Sequence, residues 1–116
     1  SSSIVISGDT KVSENLVRHS QEADILVHEV YWKQGLEDAA AEAIARDPVE
    51  RIRFELLRSY HTGSHLLGKV ANDANARHLV LSHIIRPRPD ADFSQDISPD
   101  YGGELTVGED LMTFEV

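Results

Sequence analysis

Three observations predict an α/β fold in which helices cover a sheet of buried strands. The aliphatic runs Ile4-Val5-Ile6, Ile25-Leu26-Val27 and Leu79-Val80-Leu81 are continuous rather than alternating, the pattern of strands buried on both faces. Between them, apolar residues recur at helical spacing. The resulting order, β-α-β-α-α-α-β-loop-β-β, stacks layers of strand and helix. At 116 residues the chain has room for one core, so residues 1–116 read as a single α/β unit.

The elements follow in order. Ile4–Ile6 is the first strand. Ser13 can cap a helix that carries Glu14 in its first turn and Leu16 and Val17 on its inner face. The second strand leads into His28-Glu29-Val30. Residues 33–60 are the most helical stretch, and Leu36, Ala39, Ala40, Ala43 and Ile44 share one face. Asp47-Pro48-Val49-Glu50 is a second helix start: a capping residue, a proline at the first helical position and an acid three places after the cap. Val49, Ile52, Leu56 and Leu57 are predicted to be the buried face of that helix. A further helix from about Gly63 and Ser64 is expected to bury Leu66, Leu67, Val70, Ala71 and Ala74 before the third strand. Residues 86–103, with Pro87, Pro89 and Pro99, read as a long loop. Two terminal strands, Glu104–Val107 and Leu111–Val116, turn through Gly108-Glu109-Asp110.

Composition narrows the functional classes. The 41% apolar and 27% charged residues are those of a soluble globular protein, and no apolar run approaches the ~18 residues of a membrane span. No secretory or transit signal is evident at Ser1-Ser2-Ser3-Ile4. With no cysteine there are no disulfides, thiolate zinc sites or cysteine nucleophiles. The compartment stays open, the cytoplasm being preferred. A formal charge of −9 repels phosphate backbones unless a local basic patch overrides it.

Chemistry is expected at the carboxyl ends of the strands, where α/β sheets gather ligands. Those ends carry Gly8-Asp9-Thr10, His28-Glu29 and Ser82-His83. One carboxylate and two imidazoles there can begin a hydrolytic metal site, with Asp9 able to bridge two ions and His83 offering one ring nitrogen. Gly-Asp-Thr is equally a turn, and a strand-end histidine is equally a hydrogen-bonded residue. His61 and His65 have helical zinc spacing, but Thr62 stands where a zincin has its glutamate and Gly63 interrupts the turn. His19 and His78 read as solvent-facing, without a role.

Taken in order, Ser7-Gly8-Asp9-Thr10, Ala23-Asp24-Ile25-Leu26-Val27-His28-Glu29, His61-Thr62-Gly63-Ser64 with Gly68, His78-Leu79-Val80-Leu81-Ser82-His83 and Val107-Gly108-Glu109-Asp110-Leu111-Met112 resemble the C-terminal half of a metallo-β-lactamase-fold hydrolase of the ribonuclease Z-like branch. The resemblance implies half of an αβ/βα sandwich. It implies that Asp9 bridges two metal ions, zinc or alternatively manganese or iron, and that His83 is the last histidine ligand of the second. It implies that His61 approaches the scissile group as a general acid, with Glu29 supporting the site from behind. The His-x-His-x-Asp-His motif that supplies most ligands in that family is absent from these residues. Ile84-Ile85-Arg86-Pro87 follows His83 in place of the Ser-x-Arg-Tyr type of ribonuclease Z, and the helical stretch from Glu29 to His61 is long.

The resulting expectation is a di-zinc hydrolase of a phosphodiester or related ester, inactive as this chain alone. Its expected partners are the missing N-terminal half, a second copy in a homo-oligomer, and a small-molecule ester or RNA substrate; no membrane is expected. The other readings are tRNA 3′-end processing and a non-catalytic α/β interaction domain. An apolar sheet face or edge should be left exposed by this chain on its own.

Overall fold

The computed structural model describes residues 3–8, 11–85 and 87–108. Its elements are β1 (Ile4–Ile6), α1 (Glu14–His19), β2 (Ile25–Tyr31), α2 (Lys33–Arg46), α3 (Glu50–Tyr60), α4 (Ser64–Asp73), β3 (His78–Ile85), α5 (Phe93–Ile97) and β4 (Glu104–Val107). The four strands form one sheet in the order β1-β2-β3-β4, and every pair is parallel. Parallel crossovers are right-handed almost without exception. A strand order that always steps the same way therefore directs the crossover helices to the same face.

The core shows that face. Leu26, Val30, Leu79 and Leu81 of the central strands pack with Leu67, Val70 and Ala71 of α4 and with Phe93 and Ile97 of α5. Leu16 and Val17 of α1 lie against the same cluster, as expected. Ser13 caps α1 by accepting the Leu16 N–H at 3.2 Å. Tyr101 closes the cluster by donating its hydroxyl hydrogen to the Ala76 carbonyl at 2.8 Å. A second, smaller cluster joins Tyr31 at the end of β2 to Leu36 and Ala40 of α2 and Phe54 of α3. No described helix is long and apolar enough to cross a membrane.

Several expectations are corrected. The first strand is not buried on both faces: β1 is an edge strand, with Ile4 57% and Ile6 71% exposed and only Val5 packed on the core. The loop over residues 86–103 contains α5, which starts where Asp92 accepts the Ser94 N–H and buries Phe93 and Ile97. Gly68 of α4 lets that helix approach, since a Cβ there would collide with the Ile97 carbonyl. Leu66 is exposed rather than buried. In α3 the buried residue is Phe54, whereas Val49, Ile52 and Leu56 face outward. The expected strand Leu111–Val116 lies outside the described residues.

Candidate active site

The carboxyl end of β2 carries a buried and fully engaged polar group. Glu29 is 2% exposed, and both of its carboxylate oxygens have partners. Oε1 lies 2.9 Å from His61 Nδ1, and Oε2 accepts the Thr62 N–H at 3.3 Å. Both partners come from the short extended segment that joins α3 to α4. That segment runs alongside β2: Tyr31 N–H donates to the Thr62 carbonyl at 3.0 Å, and Tyr31 and Gly63 form a parallel bridge. A buried carboxylate is tolerated because hydrogen bonds replace its water. With a carboxylate facing Nδ1, that nitrogen carries the hydrogen, and His61 Nε2 is left to act elsewhere. The ring is 22% exposed, so it is held from behind and still open to solvent.

His83 is set apart by its backbone. It has φ +48, in the left-handed region that non-glycine residues seldom enter. The register explains why: Glu29 pairs with Ser82 and Val30 pairs with Ile84, so His83 is the extra residue of a β-bulge. Without the bulge, alternation would turn residue 83 toward the helix-covered face shared by Leu79 and Leu81. The bulge keeps it out of the core and exposed beside the Glu29 register position. Bulges next to functional sites re-aim side chains in this way.

Asp9 lies outside the described residues. The segment leading to it is tied to the same place, since Ser7 Oγ accepts the Glu29 N–H at 3.1 Å and Gly8 turns the chain at φ +64. The structure thus brings together Glu29, His61 and the backbone of His83 at one end of the sheet. His65 sits apart, largely exposed in the first turn of α4, its pKa lowered by the partial desolvation of its ring and then by the Lys33 charge. His28 is fully buried; its Nδ1–H donates to the Glu29 carbonyl at 2.7 Å, and burial lowers its pKa. His19 is exposed. His78 is not solvent-facing: it is half-buried and bonds Thr106 Oγ1 at 2.8 Å, joining β3 to β4 at the opposite end of the sheet.

No protein-family model matches the chain. Ribonuclease Z of Myxococcus xanthus (strain DK1622) is 31% identical over 116 residues, covering 97% of this chain and 32% of the relative. Ribonuclease Z of Archaeoglobus fulgidus is 28% identical over 119 residues, with the same coverage of each chain, 97% and 32%. The metallo-β-lactamase fold protein YhfI from Bacillus subtilis superposes with a TM-score of 0.64 at 18% identity, over 91% of this chain and 36% of that one. The chain shares the metallo-β-lactamase fold over these residues and is similar in sequence to ribonuclease Z. It spans about a third of the length of the curated relatives it matches.

A metal ion is not accommodated by the described residues of this chain alone. Among them no group of three or more histidine, cysteine, aspartate or glutamate side chains could hold one, and a catalytic zinc usually takes three protein ligands. Glu29 is committed to His61 and Thr62 and makes a poor further donor. Sequence reasoning missed one structural residue of the site, Ser64. It is fully buried, accepts the Lys33 N–H at 3.0 Å and donates to Asp96 Oδ2 at 2.5 Å. It thereby ties the starts of α2 and α4 to α5, two residues downstream of Thr62. The available signal was a serine at the start of a helical run that continues through Leu66 and Leu67; in the structure Gly63 takes the cap position and Ser64 is the first helical residue.

Proposed function

We propose that this chain forms the carboxyl-terminal part of the active site in a metal-dependent phosphodiester hydrolase, in which His61 is the general acid. The observation that carries the reading is the buried Glu29 carboxylate holding His61 Nδ1 at 2.9 Å while the ring stays partly open. In that arrangement a proton on Nε2 can be delivered to a leaving oxygen, and Glu29 fixes the ring for the transfer. Asp9 and His83 are the metal ligands this chain would contribute. The strained bulge that sets His83 apart supports its part, because such conformations persist where a side chain must be aimed. The other donors would come from outside these residues.

RNA is the phosphodiester favoured by the comparisons, since the relatives are named ribonuclease Z. The formal charge of −9 means that basic residues for RNA binding would also lie outside this chain. In the complete protein, His61→Ala should slow hydrolysis by roughly 10²–10⁴-fold with a poor leaving group, and much less with an activated one such as p-nitrophenolate. Bound metal should be unchanged by His61→Ala and reduced by Asp9→Ala or His83→Ala, as measured by elemental analysis. Equal activity of wild type and His61→Ala on both substrates would remove His61 from the mechanism. A complete protein without hydrolytic activity would favour the interaction-domain reading.

A further inference from the structure

The segment that carries His61 is held at one end by Glu29 and at the other by a second carboxylate, Asp96 of α5. His61, Thr62 and Gly63 run between α3 and α4, with ψ 163 at His61 and ψ 149 at Gly63. Unlike a helix, an extended segment makes no hydrogen bonds within itself, so its neighbours fix its place. Gly63 is required by close approach, since a Cβ there would run into the rings of Tyr31 and His65. The consequence is a loose joint two residues from His61.

The next residue removes that freedom. Ser64 is fully buried; its hydroxyl accepts the Lys33 N–H at 3.0 Å and donates to Asp96 Oδ2 at 2.5 Å. Neither α2 nor α4 is capped by the side chain of its own N-cap residue, Trp32 or Gly63. The Ser64–Asp96 pair stands in for both caps. It satisfies the first N–H of α2 and brings a negative charge to the starts of two helices, where the dipoles favour one. A hydrogen bond to a carboxylate is about twice as strong as a neutral one. Asp96 itself stands on firm ground: α5 is locked into the core through Phe93 and Ile97, and the Ile97 carbonyl seats against Gly68 of α4.

We infer that Asp96 is a positioning residue for the reaction, fixing residues 61–64 through Ser64 so that His61 Nε2 meets the leaving oxygen. The inference rests on His61 being the general acid. Glu29 orients the ring, but the backbone that carries the ring needs its own anchor. Proton transfer requires heavy atoms about 3 Å apart. A misplacement of about 1 Å can cost on the order of 100-fold.

The test uses the complete protein and two phosphodiesters, one with a poor alkoxide leaving group and one with p-nitrophenolate. Asp96→Ala should slow the first by roughly 10–100-fold and the second much less, with bound metal unchanged. General damage to the fold would lower both rates together. In the His61→Ala background, Asp96→Ala should cost nothing further on the poor substrate, because the group it positions is gone. Asp96→Asn keeps an oxygen that can accept from Ser64 and should recover most of the rate. Should Asp96→Ala fail to fold, Ser64→Ala breaks the same link from its other side and is held to the same results. Equal losses on both substrates, an additive loss in the double variant, or wild-type rates in Asp96→Ala would each overturn the inference. His61→Ala distinguishes its failure from that of the reading beneath it: if that variant hydrolyses the poor substrate at the wild-type rate, His61 is not the acid and Asp96 has nothing to position.

Discussion

Glu29 is a carboxylate that the interior accepts only because Thr62 and His61 satisfy it, so its removal should strand both partners. Glu29→Ala is expected to cost roughly 1–3 kcal/mol, the range for leaving a buried polar group unpaired. Urea unfolding read by circular dichroism checks this, and an unchanged midpoint would mean that the pair contributes nothing to folding. His28, its neighbour, makes the opposite kind of prediction. Its ring is fully buried, Nε2 has no partner, and burial lowers its pKa below 6.5. The native protein therefore keeps the ring neutral. Below pH 6.5 the unfolded chain takes up a proton that the folded one refuses, so stability should fall as the pH drops from about 7 to 5. His28→Phe should flatten that part of the pH profile of the melting temperature.

At the scale of elements, the bulge in β3 sets packing comfort against aim. A left-handed backbone costs an L-residue roughly 1–2 kcal/mol, a cost that glycine escapes. His83→Gly should therefore leave the fold as stable as wild type or more so, while His83→Val, with its branched Cβ, should lower the melting temperature. A clear loss of stability in His83→Gly would show that the side chain packs and is not simply aimed. Helix α3 shows a limit of periodicity. Val49, Ile52 and Leu56 repeat as regularly as any core face, yet Phe54 is the residue buried. Spacing reports that a stripe exists and cannot say which of two stripes meets the core. In α2 there is one stripe only, and Leu36 and Ala40 are buried as expected.

For the molecule as a whole, strand order decides what is covered. Because every step across the sheet runs the same way, α1, α4 and α5 share one face, and β1 is left at an edge with Ile4 and Ile6 in solvent. An exposed apolar edge strand invites pairing with another chain. Ile6→Lys should accordingly raise the solubility of this chain, measured as the concentration remaining after centrifugation, without lowering its melting temperature. If Ile6→Lys destabilises the chain instead, that side chain is covered.

Amino-acid order alone settled the α/β class, the three aliphatic strands, the cap at Ser13 and the placing of Glu29 and His83 towards neighbouring strand ends. Each of these is a local matter, governed by side-chain spacing, backbone preference or one hydrogen bond within a few residues. The helix start read at Asp47-Pro48, by contrast, falls two residues later, with Val49 at the N-cap and Asp47 closing α2. The resemblance to the ribonuclease Z-like branch was legible for a similar reason, being carried by short motifs in sequence order. Only the tertiary structure decided that Glu29 meets His61, 32 positions further along the chain. It alone put the extra residue of the bulge at His83, made β1 an edge, turned the aliphatic stripe of α3 outward and sent His78 to the far end of the sheet. Those outcomes depend on which surfaces meet, and periodicity carries no information about partners. An apolar strand reads the same at the centre of a sheet as at its edge, and a histidine reads the same whether a carboxylate stands behind it or water does.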